Sequence, residues 1–247
     1  MTQTKARPDA SADMDPDMSR DASKADLRRN AQRAALLDAA SEMLLRGGPD
    51  SISLRKLAAK VGTSTMAVYT AFGGKDGLIS ALFDEAFERL SDAQRTVAKN
   101  PEPLLYLADL GRAYHEFARE NPSYYALMIS ATMPVSEAAR HAAEAHSTLP
   151  ARGISDYSSY HFLLEGVTNC IKDGSFTDEF EPMLVADAFW AVVHGLCSLE
   201  LAGFHATAED GRKRFAVTTL AVMRGFMTDK GRTKLDFFTA EQRNKNK

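Results

Sequence analysis

The segment from Ser53 to Lys75, SLRKLAAKVGTSTMAVYTAFGGK, gathers hydroxyls, one phenol and several cations into a short stretch. Groups of these types hydrogen-bond phosphate oxygens and base edges. Thr65 and Thr70 can bond either, while Met66 and Ala67 can touch thymine methyl groups. The phenol of Tyr69 can reach a phosphate, and Lys75 opens a helix whose free N–H groups and dipole attract one as well. No arginine, asparagine or glutamine stands among residues 65–70, so the bidentate forks that dominate direct base reading are absent. The same spacing also suits a small helical core with a threonine-rich face turned to water.

Covalent chemistry has no comparable constellation. The sequence holds no HExxH, CxxC, phosphate loop or dinucleotide fingerprint. His141 and His146 are five residues apart and do not share a helix face. Asp178, Glu179 and Glu181 stand at a helix start, where the helix dipole accounts for them. No enzyme, metal or cofactor is expected. Cys170 and Cys197 lie in apolar helical patterns, as buried thiols rather than a disulfide. A small-molecule pocket remains, since helical bundles bind ligands in mainly apolar cavities with a few polar groups. Its candidate residues are Tyr114, Phe117, Tyr125, Met128, His161, Phe162, Trp190 and His194, for which ordinary core packing is the competing account. His194, among Val192, Val193 and Leu196, must find a hydrogen-bond partner in protein or ligand.

Helices must position these groups. Leu54, Leu57, Ala58 and Val61 recur at i, i+3, i+4 and i+7, one face of a short helix with Ser53 as its cap. Gly62 allows a turn with positive φ, and Thr63 and Ser64 cap a second short helix with Val68 and Phe72 inward and Ala71 beside them. Two helices this short must dock on a neighbour. A helix, a tight turn and a second helix make a helix-turn-helix, whose second helix enters the DNA major groove. The neighbours are a helix from about Arg28 to Arg46, ended by Gly47 and Gly48, and one from Asp76 to about Val97. Beyond Asn100-Pro101-Glu102-Pro103, apolar spacing predicts helices over 104–120, 122–131, 136–145, 158–172, 182–203 and 208–227, with a Pro- and Gly-containing loop at 146–156.

The predicted fold class is all-α. A three-helix helix-turn-helix domain over 26–75 precedes a helical-bundle domain for ligand binding and dimerisation over 76–229. Residues 1–25 have only methionine as a large apolar residue and are expected to be disordered. Residues 230–247 form a basic, polar tail, expected to be loose.

The run Val61-Gly62-Thr63-Ser64, then Val68-Tyr69, Phe72, Lys75-Asp76 and Leu78, resembles the DNA-binding signature of the tetracycline-repressor (TetR) family over about Ala31 to Leu90. The resemblance implies a homodimeric, all-helical bacterial transcriptional regulator whose variable C-terminal domain binds a small ligand or a partner. It maps phosphate and base contacts onto Ser53, Arg55, Thr63, Ser64, Thr65, Met66, Ala67, Tyr69, Thr70 and Lys75. The spacing Trp190-x3-His194-Gly195 resembles the WHG subgroup of C-terminal domains, as does Arg119-Glu120-Asn121-Pro122 with Tyr125 and Met128, more weakly. In the family the last two helices pair with their counterparts, which suits the apolar excess over 182–227.

Charge is distributed in the same sense. Residues 24–75 carry nine basic and four acidic side chains, although the whole chain has a net charge of −3, so a basic module sits on an acidic body. Arg28, Arg29 and Arg33 open the first helix, where they can lie near a DNA backbone. No run approaches the ~18 apolar residues of a membrane span, and no apolar signal segment opens the chain, so a cytoplasmic protein away from membranes is expected. The reading is a homodimer on double-stranded DNA, a repressor released from a pseudo-palindromic operator by an unknown small-molecule effector. Its rival is an architectural or chromosome-organising DNA binder of the same fold with a protein partner.

Overall fold

Two serine caps and two left-handed glycines shape the helix-turn-helix. The computed structural model describes residues 16–47, 51–128 and 158–245, which contain ten helices and no named strand. Ser53 Oγ accepts from the Lys56 N–H (3.4 Å) to start α2 (Leu54–Val61), which Gly62 ends with φ 74°. Ser64 Oγ accepts from the Ala67 N–H (3.1 Å) to start α3 (Thr65–Phe72), ended by Gly73 at φ 73°. Side chains rarely tolerate that conformation, so both turns need glycine. Leu57, Ala58, Val68 and Phe72 are buried in a cluster shared with α1 (Pro16–Gly47) and α4 (Lys75–Arg95). Ala71, expected inward, is exposed, because Val68 and Phe72 already fill the inner stripe of so short a helix. Gly77 lies so close to α3 that a Cβ built on it overlaps the Phe72 carbonyl oxygen.

The body adds α5 (Pro103–Glu120), α6 (Pro122–Met128), α7 (Ser158–Lys172), α8 (Pro182–Leu201), α9 (Ala208–Phe226) and α10 (Asp229–Lys245). Prolines open α5 and α8, where a missing N–H costs nothing. One apolar cluster runs from Leu36 and Leu57 through Leu78 and Leu82 to Tyr125, Val193 and Phe215, so the core continues across the expected boundary after residue 75. A second cluster holds Leu104, Val167, Cys170, Phe189 and Met223. Helix α8 packs on α5, α7 and α9. Among the described residues it alone is long and apolar enough to cross a membrane by length and composition, yet it carries Asp187 and His194 along its length.

Both ends of the chain depart from expectation. Helix α1 begins at Pro16, so residues 16–25, expected to be disordered, continue the helix; Arg20, Ala22, Lys24 and Ala25 are good helix formers, and extending an existing helix is easy. The tail expected to be loose forms α10. Thr228 Oγ1 caps it by accepting from the Gly231 N–H (3.2 Å), Leu235 packs on the second cluster, and Lys234 pairs with Glu102 (3.0 Å) and with Asp173. Residues 1–15, the alanine-rich stretch at 136–145, the loop at 146–156 and the end of the helix expected to reach Ala131 lie outside the described residues.

Three polar junctions tie the body together. The Tyr114 hydroxyl on α5 lies 2.9 Å from Nε2 and 3.1 Å from Nδ1 of His194 on α8. Tyr125 on α6 donates to the His194 carbonyl at 3.0 Å. Burial lowers the His194 pKa to about 4, so the ring is neutral near pH 7. His115 Nε2 lies 2.6 Å from one Glu200 oxygen and Arg119 Nε 3.1 Å from the other, joining α5 to α8. Tyr124 donates to Asp38 at 2.9 Å, while Arg89 pairs with the same carboxylate at 2.8 Å and lies 4.3 Å over the Tyr124 ring, joining α6, α1 and α4.

Two outcomes follow from these contacts. Gly77→Ala is expected to lower stability by about 1–3 kcal/mol, the usual cost of overpacking. An unchanged thermal midpoint by circular dichroism would contradict the close approach of α4 to α3. For His194, the folded ring binds fewer protons than the unfolded one between about pH 6.5 and 4. Its stabilising contribution is therefore complete above that window and declines as pH falls through it, by at most about 3.5 kcal/mol at roughly 1.4 kcal/mol per pKa unit. Urea unfolding at several pH values should show a shallower acid loss for His194→Gln than for the parent; equal slopes would place the acid sensitivity elsewhere.

Candidate DNA-binding face and ligand cavity

The caps and turns that build α2 and α3 leave a defined set of side chains outside. Met66 is 73% exposed and Tyr69 51% exposed, an unusual pair of large side chains to leave in water. Arg55, Ser64 and Thr70 are also exposed, while Ser53, Thr63, Thr65, Ala67 and Lys75 are half-buried. Thr63 Oγ1 accepts from Gln32 Nε2 of α1 at 2.7 Å, which fixes the turn to the first helix. Thr70 Oγ1 donates to the Met66 carbonyl at 3.0 Å and keeps lone pairs to accept. Ser53 and Ser64 accept cap bonds, so their hydroxyl hydrogens remain to donate outward. Gly74, the N-cap of α4, brings no side chain to cap the helix, and Lys75 is its first residue. That combination attracts a phosphate oxygen. Of the N-terminal arginines, Arg33 lies 5.2 Å over the Phe72 ring.

In the body, a cavity of about 410 Å³ opens between α4, α5, α7, α8 and α9. Phe87, Leu90 and Gln94 reach it from α4, Leu104, Leu107 and Tyr114 from α5, and Tyr160 and Leu163 from α7. Phe189, Trp190 and Val193 of α8 and Phe215 and Met223 of α9 complete most of the wall. A volume of this order suits a metabolite-sized ligand.

Of the residues expected to line a pocket, Tyr114, Met128 and Trp190 do so. The other five correct the expectation. Tyr125 and His194 stand behind the wall and hold Tyr114 in place through the bonds described above. Phe117 belongs to the apolar core. Helix α7 turns Ser159, Tyr160 and Leu163 to the cavity, and at 100° per residue this carries His161 and Phe162 away from it. His161 is exposed and Phe162 half-buried.

The polar groups in the wall are mostly engaged. Tyr114 meets His194, His115 meets Glu200, and Tyr160 donates to Asp187 at 2.6 Å. Burial raises the pKa of Tyr114, Tyr125 and Tyr160, keeping these phenols protonated. It pushes the Cys170 and Cys197 thiols up to about 12, so neither is a nucleophile. The exception is Gln94: only 4% exposed, it has an Oε1 without a hydrogen-bond partner among the described residues. The sequence carries a signal for it, because Gln94 continues the apolar ladder of Phe83, Phe87 and Leu90 with a polar residue. No group of three or more His, Cys, Asp or Glu among the described residues is arranged to hold a metal.

Comparisons with known proteins agree with this architecture. Residues 36–82 match the N-terminal domain of bacterial regulatory proteins of the tetR family, and residues 107–223 match the tetracyclin repressor-like C-terminal domain. No curated protein sequence matches the chain. Among solved structures, a protein of unknown function from Rhodococcus sp. RHA1 is 23% identical, with a TM-score of 0.60 over 80% of this chain and 96% of that one. The TetR family transcriptional regulator PfmR from Thermus thermophilus is 17% identical, with a TM-score of 0.56 over 76% and 97%. The ketosteroid transcriptional regulator KstR2 of Mycobacterium tuberculosis is 16% identical, with a TM-score of 0.54 over 80% and 95%. At these identities the likeness is one of fold. The chain thus carries a DNA-binding domain of the tetR family of bacterial regulatory proteins joined to a tetracyclin repressor-like C-terminal domain.

Proposed function

We propose that this protein is a homodimeric transcriptional repressor that leaves its operator when a small molecule enters the C-terminal cavity. The observation that carries this reading is the double attachment of α4. Its first turn abuts α3 through Gly77, and its last turns supply Phe87, Leu90 and Gln94 to the cavity wall. A ligand that prefers one setting of α4 therefore favours one position of the recognition helix. Release requires such differential affinity, since equal binding to both settings shifts nothing. Met128 of the cavity wall and Tyr124 share α6, and the Tyr124–Asp38 bond adds a second link to α1.

Dimerisation through α8 and α9 is supported by the apolar side chains they leave in water. Leu184, Leu199 and Val217 are exposed there, and Phe204 in the intervening turn is 75% exposed. Two copies so paired would present two α3 helices to successive major grooves of a pseudo-palindromic site. The ten side chains around α2, α3 and the start of α4 are the proposed contacts, and binding to a chromosomal operator would put the protein in the cytoplasm. The Trp190, His194 and Gly195 spacing supports assignment to the WHG subgroup.

Selection of fragmented genomic DNA on the purified protein at about physiological salt tests the reading, because salt suppresses non-specific phosphate binding. One or a few loci sharing an inverted repeat are expected; broad recovery with no shared motif would favour the architectural binder. On the recovered site, Tyr69→Phe and Lys75→Ala should weaken all sequences alike, with Lys75→Ala reducing the salt slope by about one. Changes at Thr65, Met66 or Thr70 should alter which sequences are preferred, and uniform losses would reassign them to positioning. Val217→Glu combined with Leu199→Glu should weaken dimers by roughly a hundredfold in sedimentation equilibrium. A dimer unaffected by this pair would move the interface away from α8 and α9.

A further inference from the structure

We infer that the cavity takes an uncharged, largely apolar molecule bearing one hydroxyl group, and that Gln94 selects it. This rests on the reading of the cavity as an effector site. The wall is built of leucine, phenylalanine and methionine, with its phenols and imidazole already committed to partners inside the protein. Formal charges in the lining are confined to exposed positions, at Arg112, Glu116 and Arg212, and Arg112 pairs with Asp109. A charged group carried into the interior would meet no counter-ion there, and burial of an unpaired charge is strongly unfavourable.

Gln94 supplies the opposite preference. Gln94 lines the cavity with its Oε1 buried and unsatisfied, and a turn of the terminal amide about its last torsion offers that acceptor to a donor brought by the ligand. A hydroxyl donates to Oε1 and, should the amide be turned over, accepts from Nε2; it satisfies either orientation. An ether cannot donate. Because Gln94 sits on the last turn of α4, the bond it forms also fixes the helix that carries the recognition module, so the group that confers selectivity acts on the moving part.

The only tryptophan of the chain, Trp190, lines the cavity, so its fluorescence reports occupancy of the full-length protein directly. The probes are decan-1-ol, its isomer methyl nonyl ether, and decanoate. Decan-1-ol is expected to bind about tenfold or more tightly than the other two, the worth of one neutral hydrogen bond. Gln94→Leu should erase that preference by weakening the alcohol alone, while the thermal midpoint of the free protein stays level or rises as a buried acceptor without a partner is removed. Gln94→Met, closer in shape, serves if the leucine variant fails to fold. Equal binding of alcohol and ether in parent and variants would overturn the role of Gln94 and leave the cavity reading standing. Tightest binding by decanoate, lost in Arg112→Ala or Arg212→Ala, would overturn the uncharged class in favour of an anionic amphiphile. No response of Trp190 to any of the three would remove the effector site itself, and this inference with it.

Discussion

The architecture depends on one contact without a side chain, the approach of Gly77 to the Phe72 carbonyl. With a Cβ at that place α4 would be held away from the end of α3, and the cluster of Phe72, Leu78, Ile79 and Leu82 would open. With glycine there, the start of α4 packs directly on the end of α3. Helix α4 has 21 residues, a rod of about 30 Å. Its far end is buried through Leu90, Ser91 and Gln94. Close-packed interiors transmit displacement rather than absorb it, so the two ends of this rod are mechanically one element.

The second organising feature is how the interior treats its polar groups. His194 is kept neutral and surrounded by Tyr114 and Tyr125, Asp187 accepts from Tyr160, and Glu200 is closed in by His115, Arg119 and Gly211. A side chain at position 211 would overlap the Glu200 carboxylate, so with glycine there α9 lies against that ion pair without displacing it. These bonds have directions and fixed partners, which apolar packing lacks, and they set the register of α5, α6, α8 and α9. Against that background Gln94 Oε1 stands out as a buried acceptor without a partner among the described residues.

Much of this was legible in the residues. Ser53, Gly62 and Ser64 announce the two short helices because capping is local chemistry, decided within four residues. The prolines at 103 and 182 mark helix starts for the same reason. Helix α10 escaped because what holds it is distant in sequence: Lys234 binds Glu102 and Asp173, and Thr228 donates to the Gly174 carbonyl at 2.7 Å. Composition alone shows such a segment as basic and polar. The pocket was half legible. Aromatic and histidine residues do gather there, but rotation about each helix decides which face the cavity, and this separates Tyr160 and Leu163 from His161 and Phe162. Gln94 was visible as a polar interruption of an apolar ladder, a signal that a search for aromatic groups passes over.

The recognition face sets the terms on which such a protein can be regulated. Its serine hydroxyls already accept cap bonds and Thr70 already donates to its own helix, so what remains is single hydrogen bonds, a thioether and a phenol. A bidentate fork discriminates a base by about 1–3 kcal/mol, and residues 65–70 contain none. In the proposed complex specificity must then be collected from several small contacts, from the proposed phosphate positioning by Tyr69 and Lys75, and from the spacing of two half-sites in the proposed dimer. Spacing is the most demanding of these, since both recognition helices must enter their grooves together. A regulator that relies on it does not need its contacts dismantled in order to release DNA. In the proposed dimer, a small change in the setting of α4, repeated in both copies, would remove the match that the separate contacts are too weak to restore.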